Sequence, residues 1–294
     1  MLGEIPEIYV YDDIPNKLKV QVIHIIDDAI GHPKNSLYED KVDEVYEFIR
    51  DALCREYGLF ELLPHHHYIK NEVNNFFLKS TTDEALDLIE LTFRLIEKYI
   101  KDENHSYHSK VRVKLNPKEA INELNERFRE NGIGYSYENG EIIRIDSTYV
   151  HSEVTKPAIS LLYNSMFEGA NEEYMKAHQH YRDGENKECL ANCLKAFEST
   201  MKIICKEKSW AFNQNDTSKK LIQICFQNNL VPSFTQNQFT SLQNLLESGI
   251  PTIRNKLGGH GQGAVPQKVD DEMTRYALNL TGANIIFLIG QSGL

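Results

Sequence analysis

Residues 253–263 read IRNKLGGHGQG and place Arg254, Asn255 and His260 within one short run. A guanidinium holds two phosphate oxygens with paired hydrogen bonds, and an imidazole moves a proton near neutral pH. Held together, those groups suit a phosphodiester. The glycines make the run a poor helix interior, since each weakens a helix by about 1 kcal/mol relative to alanine. Pro251 can open a helical turn, and Gly258 with Gly259 ends it, because glycine tolerates positive φ. Arg254 and Asn255 then sit on a last turn, with His260 just past the bend. The same spacing also fits a plain helix end, with Arg254 in a surface ion pair and His260 solvated.

A carboxylate is expected to complement the arginine. Glu198 lies between Phe197 and Met201, about 40° around a helix from Leu194 and so at the edge of an apolar stripe. A carboxylate there calls for a partner, and Arg254 is the candidate. An ordinary surface glutamate with its carboxylate in water fits the position equally well.

The elements that must carry these residues are mostly helical. In the carboxy-terminal half, Leu190, Leu194, Phe197, Met201 and Ile204 recur at steps of three and four, predicting an amphipathic helix over 185–206. A polar helix over 172–182, expected on the surface, precedes it after a break at Gly169. Further helices are predicted around 221–229, over 236–247 and over 273–287, the last burying Met273, Tyr276, Ala277, Leu280, Ala283, Asn284 and Phe287. In the amino-terminal half, Leu18, Val22, Ile25, Ile26 and Ala29 mark one helix, and Val42, Val45, Tyr46, Ile49, Leu53 and Cys54 a second. A third opens at Thr82 or Asp83 and buries Leu86, Ile89, Phe93, Ile96 and Ile100. A polar loop is expected over 101–116, followed by a helix from Pro117 through Phe128. Asn139-Gly140 between two alternating runs predicts a β-hairpin near 134–146. Residues 150–167 return to helix. The expected class is mainly α: a helical domain with one β-hairpin over 1–168, then a four-helix bundle over 169–294.

Charge separates the two halves. The chain of 294 residues carries a net charge of −11. Residues 169–294 hold 13 Lys and Arg against 12 Asp and Glu, leaving −12 on the first 168 residues. Only the second half is expected to approach a polyanion without strong repulsion. No run of about 18 apolar residues is present, so no membrane partner is expected. The first residues show no signal-peptide pattern. The five cysteines form no CxxC pair, and Cys189 and Cys193 read as small core residues. A cytoplasmic location is expected.

RNKLGGHG resembles the R-x(4–6)-H signature of HEPN domains, with five residues between Arg254 and His260. ECLANCLKAFESTMKIICKE is similar to the acidic-residue helix of HEPN domains in abortive-infection proteins. AINELNERFRENGIGYSYENGEIIRI and VTKPAISLLYN resemble an AbiJ-type amino-terminal domain. That resemblance implies a metal-independent endoribonuclease toxin, in which the RNA 2′-hydroxyl attacks the adjacent phosphorus and leaves a 2′,3′-cyclic phosphate. His260 would transfer the proton, Arg254 stabilise the phosphorane, Asn255 position the pair and Glu198 orient Arg254. Lys256, Gly259 and Gly261 would contact substrate. The family often has alanine or aspartate just before the histidine, where this chain has Gly259. No cofactor or metal is implied. Expected partners are RNA, a second copy forming a composite site, and an antitoxin or other defence-system protein. A non-catalytic HEPN module that binds nucleotide, RNA or protein is the alternative.

Other clusters carry less. Three consecutive histidines, His65 to His67, cannot all point one way, and a loop is expected rather than a metal site. Lys219 and Lys220 read as a solvated helix start. Tyr174, His178 and His180 are expected on a surface face. Trp210 is expected to anchor its loop to the core.

Overall fold

A computed structural model of the chain describes residues 9–35, 39–64, 68–101, 104–230 and 269–294. The chain divides into two compact units, Met1–Ile142 and Ile143–Leu294.

Unit 1 opens with four helices, three of which follow the apolar spacing expected from the sequence. They are α1 (Asn16–Ile30), α2 (Glu39–Tyr57), α3 (Ile69–Lys79) and α4 (Thr82–Tyr99). The expected positions of α1, α2 and α4 are buried, from Leu18 to Ile100. Helix α4 starts at a capping box, in which the Thr81 hydroxyl accepts from the Glu84 amide and the Glu84 carboxylate accepts from the Thr81 amide. Helix α3, which the apolar spacing did not single out, buries Val73, Phe76 and Phe77.

The stretch expected as a polar loop carries regular structure among its described residues. It contains α5 (His105–Lys110) and a strand, β2 (Val111–Arg112), that pairs antiparallel with β1 (His32–Pro33). Tyr107 and Val111 supply the reason: both are buried, and the Tyr107 hydroxyl donates to the Ile30 carbonyl at 2.9 Å. Gly31 takes φ +89°, and a Cβ there would come within 2.5 Å of the Arg112 carbonyl oxygen. The residue before β1 must therefore be glycine.

Helix α6 (Pro117–Glu130) leads to the predicted hairpin, β3 (Tyr135–Glu138) and β4 (Glu141–Arg144). Asn139 and Gly140 both have positive φ, 49° and 93°, as a tight two-residue hairpin turn requires. Asn125 on α6 secures the first strand, donating to the Tyr137 carbonyl and accepting from its amide.

Unit 2 opens with α7 (Thr148–Val150), a π-helical turn (His151–Thr155) and α8 (Lys156–Leu162). The single helix expected over 150–167 is thus interrupted, and a 3-10 turn at Ser165–Phe167 ends it. Then come α9 (Glu168–Arg182), α10 (Asn186–Glu207), α11 (Ser218–Gln227) and α12 (Asp271–Ser292). Gly169 does not break the chain; it lies in the first turn of α9.

Two expected faces are corrected. Helix α9 is not a surface helix, because Ala170, Tyr174, Ala177, His178 and Tyr181 are buried. On α12 the buried face runs through Ala277, Leu278, Ile285, Leu288 and Ile289, while Met273 and Tyr276 are exposed. Helix α10 packs as predicted, with Leu190, Phe197, Met201 and Ile204 buried and Leu194 half-buried. The four cysteines of this unit are buried free thiols, and Trp210 packs against the core as expected.

Candidate functional site

Arg254, Asn255, Lys256, Gly259, His260 and Gly261 lie outside the described residues, as do the helix expected over 236–247 and His65 to His67. Of the residues assigned to the site from sequence, Glu198 is the one the structure places. It sits half-buried on α10, and its carboxylate Oε1 accepts from the Ser218 amide at 2.8 Å. That amide belongs to the first turn of α11, where no side chain from Thr217 caps the helix. The carboxylate answers one of the donors that every helix start leaves unmade, and favours the positive end of the helix dipole. Glu198 therefore fixes α11 on α10.

The beginning of α12 is fastened to the beginning of α10. The Asn186 amide nitrogen donates to the Val269 carbonyl at 2.8 Å and to Asp271 Oδ1 at 2.9 Å. Asp270 caps α12 by accepting from the Met273 amide at 2.7 Å. Residues 230 and 269, which flank the segment carrying the motif, are thus held by α10, α11 and α12: Leu230 donates its amide to the Cys225 carbonyl, and Val269 is buried.

A second cluster was not visible in the sequence. A cavity of about 310 Å³ lies within unit 2. Its walls come from the stretch after β4, the π-helical turn, α9 and α12. The Arg144 guanidinium lies 5.0 Å above the Tyr181 ring and pairs with Asp146 at 3.2 Å and Asp271 at 3.6 Å. The Tyr181 hydroxyl donates to Asp146 at 2.7 Å. His178 also lines the cavity, and only 2% of its surface is exposed. Neither ring nitrogen has a hydrogen-bond partner among the described residues. Burial, reinforced by the nearby charge of His151, lowers its pKa to about 3, so the ring is neutral at physiological pH. The expectation that Tyr174 and His178 face solvent is corrected: their rings meet edge to face at 4.7 Å in the interior. His180 is half-buried and pairs with Glu185 at 2.6 Å.

Sequence comparison also finds two parts, divided later along the chain than the two compact units. Residues 2–160 match the family described as AbiJ N-terminal domain 4, and residues 168–292 match the HEPN-like domain Abi_C. No curated protein and no solved structure matches the chain. Among the described residues no helix is long and apolar enough to cross a membrane. With the first match covering more than half of its length, the chain belongs to the AbiJ N-terminal domain 4 family and carries a HEPN-like domain of the abortive-infection type.

Proposed function

We propose that the chain is a metal-independent endoribonuclease of the HEPN type that acts as a toxin in abortive infection in the cytoplasm. The observation that carries this reading is the run RNKLGGHG, an intact R-x5-H pattern inside the stretch matched by the HEPN-like domain. His260 transfers the proton from the attacking 2′-hydroxyl, a contribution of about 10²–10⁴-fold. Arg254 neutralises charge building on the phosphorane. Asn255 positions the pair, and Lys256, Gly259 and Gly261 contact the RNA backbone. Glu198 fits the orienting role, since one carboxylate oxygen is fixed by the Ser218 amide and the other is left for Arg254.

A twofold dimer completes the reading, because one arginine and one histidine supply little charge for RNA. Ile285 and Ile289 of α12 are core residues and are not free for its interface. Met273 and Tyr276, 39% and 49% exposed, are the apolar side chains that α12 presents instead. An antitoxin or other defence-system partner then restrains the nuclease.

Induced expression tests the assignment. The wild-type chain arrests growth, whereas His260→Ala and Arg254→Ala proteins melt at the wild-type temperature and do not. Arrest by both variants would assign the effect to binding by a non-catalytic module.

A further inference from the structure

A buried imidazole with two unanswered nitrogens is costly. A neutral histidine carries one N–H donor and one lone-pair acceptor, and each group left unmade in the interior costs about 1–3 kcal/mol. Folded proteins leave few such groups, and those they leave call for a reason. His178 has both nitrogens in this state among the described residues, and it lines a cavity of about 310 Å³. That volume lies at the small end of the range for small-molecule sites, about 300–1,000 Å³.

The rest of the wall is charged and held in place. Arg144 is fixed by Asp146, Asp271 and the face of Tyr181. Tyr181 is itself fixed through its hydroxyl on Asp146. A second guanidinium, Arg275 on α12, lines the same cavity from an exposed position. Two arginines and Asp146 therefore line the cavity, with Asp271 beside Arg144. The adjoining wall is the π-helical turn His151–Thr155, a rare geometry that is frequent at functional sites. Leu278 and the Tyr181 ring supply apolar surface between the charged groups and the histidine.

We propose that this cavity binds a small organic oxyanion, a phosphate monoester or a carboxylate, whose uncharged polar end meets His178 and whose anionic end meets Arg275 and Arg144. The neutral ring suits a hydroxyl or amide, because it can donate at one nitrogen and accept at the other. A cation would gain nothing at this end of the cavity, and an uncharged ligand would leave the guanidinium of Arg275 without a counter-charge. The assignment does not use the 254–260 motif and stands apart from the nuclease reading.

Calorimetry on the full chain with glycerol 3-phosphate, glycerate, inorganic phosphate and glycerol tests it. At least one of the two organic anions binds saturably, and glycerol does not. The tighter of the two identifies the anionic group. Arg275→Gln weakens every anion about tenfold or more, as loss of a hydrogen bond to a charged group does. His178→Leu weakens the organic anions by a similar factor but leaves inorganic phosphate unchanged, and its melting temperature without ligand equals or exceeds that of the wild type. Absence of saturable binding by both organic anions would overturn the assignment. Equal binding of glycerol, or affinities unaltered in both variants, would overturn it as well.

Discussion

The interiors of the two units treat polar groups differently. In unit 1 the buried polar side chains tie distant segments together. The Lys19 ammonium donates to the Ser80 carbonyl at 2.6 Å, and the Glu72 carboxylate accepts from the amides of Leu62 and Leu63 at 2.8 and 3.3 Å. The Tyr137 hydroxyl donates to Glu97 at 3.0 Å. Thr92 is one exception among the described residues. In unit 2, Tyr174, His178 and Asn284 each hold a buried polar atom with no partner among the described residues. All three lie on α9 and α12, the two helices that wall the cavity. The difference teaches that unit 1 spends its buried polar groups on ties between segments, whereas unit 2 leaves several unmade, one of them on His178, which lines the cavity.

The contrast is one of polar groups and not of apolar packing, which sets the largest effect. Phe93 in unit 1 and Phe197 in unit 2 are both fully buried. Truncation of either to alanine costs about 4 kcal/mol. Urea unfolding measures both, with Trp210, the single tryptophan, reporting on unit 2. A much smaller loss at Phe197 would mean that the interior of unit 2 is loosely packed.

Acid separates the units next. The His178 pKa is lowered from 6.5 to about 3 in the folded state, so the unfolded chain binds the proton first as pH falls. The contribution to stability is complete above about pH 6.5 and is lost below it at about 1.4 kcal/mol per pH unit. Between about pH 6.5 and 4 that amounts to roughly 3 kcal/mol. A His178→Leu protein should lack this part of the slope. If wild type and variant lose stability in parallel, the ring is not buried in its neutral form.

Glu72→Ala tests the stitching of unit 1. It leaves the Leu62 and Leu63 amides without their acceptor and costs about 2 kcal/mol. Hydrogen exchange should quicken first at those two amides. Unchanged protection there would remove Glu72 from the structure of the loop.

The smallest effect is the sharpest comparison, because one substitution is made twice. Tyr137→Phe removes a paired hydroxyl and costs about 1 kcal/mol. Tyr174→Phe removes an unpaired one and should be neutral or stabilising by a similar amount. The Tyr174 hydroxyl also lies where a Cβ on Gly282 would fall, at 2.5 Å. Gly282→Ala should therefore be tolerated better in the Tyr174→Phe background. Equal losses at the two tyrosines would erase the distinction between the units.

Much of the fold was legible. The stripe from Leu86 to Ile100 announced α4, Asn139-Gly140 announced the hairpin, and the stripe from Leu190 to Ile204 announced α10. Helix α9 was misjudged because its buried residues include tyrosines and a histidine, which pass for surface residues when polarity alone is read. Their spacing, Ala170, Tyr174, Ala177 and Tyr181, is helical all the same. Helix α12 is apolar nearly all round, so periodicity could not select its buried face. Of the candidate site, Glu198 at the edge of its stripe was legible because one helix sufficed to place it. The cavity was not, since Arg144, His178 and Arg275 come from three separate stretches and meet only in the folded unit.

The central claim is that residues 254–260 cleave RNA through the 2′-hydroxyl. Its most direct test is the chemistry of the product ends left by the purified chain in EDTA. Fragments ending in 2′,3′-cyclic phosphate, with no cleavage where the cut site carries 2′-deoxyribose and none by His260→Ala, are the predicted result. A strict requirement for Mg²⁺ or Mn²⁺, or cleavage of the deoxy-substituted RNA at the wild-type rate, would contradict it.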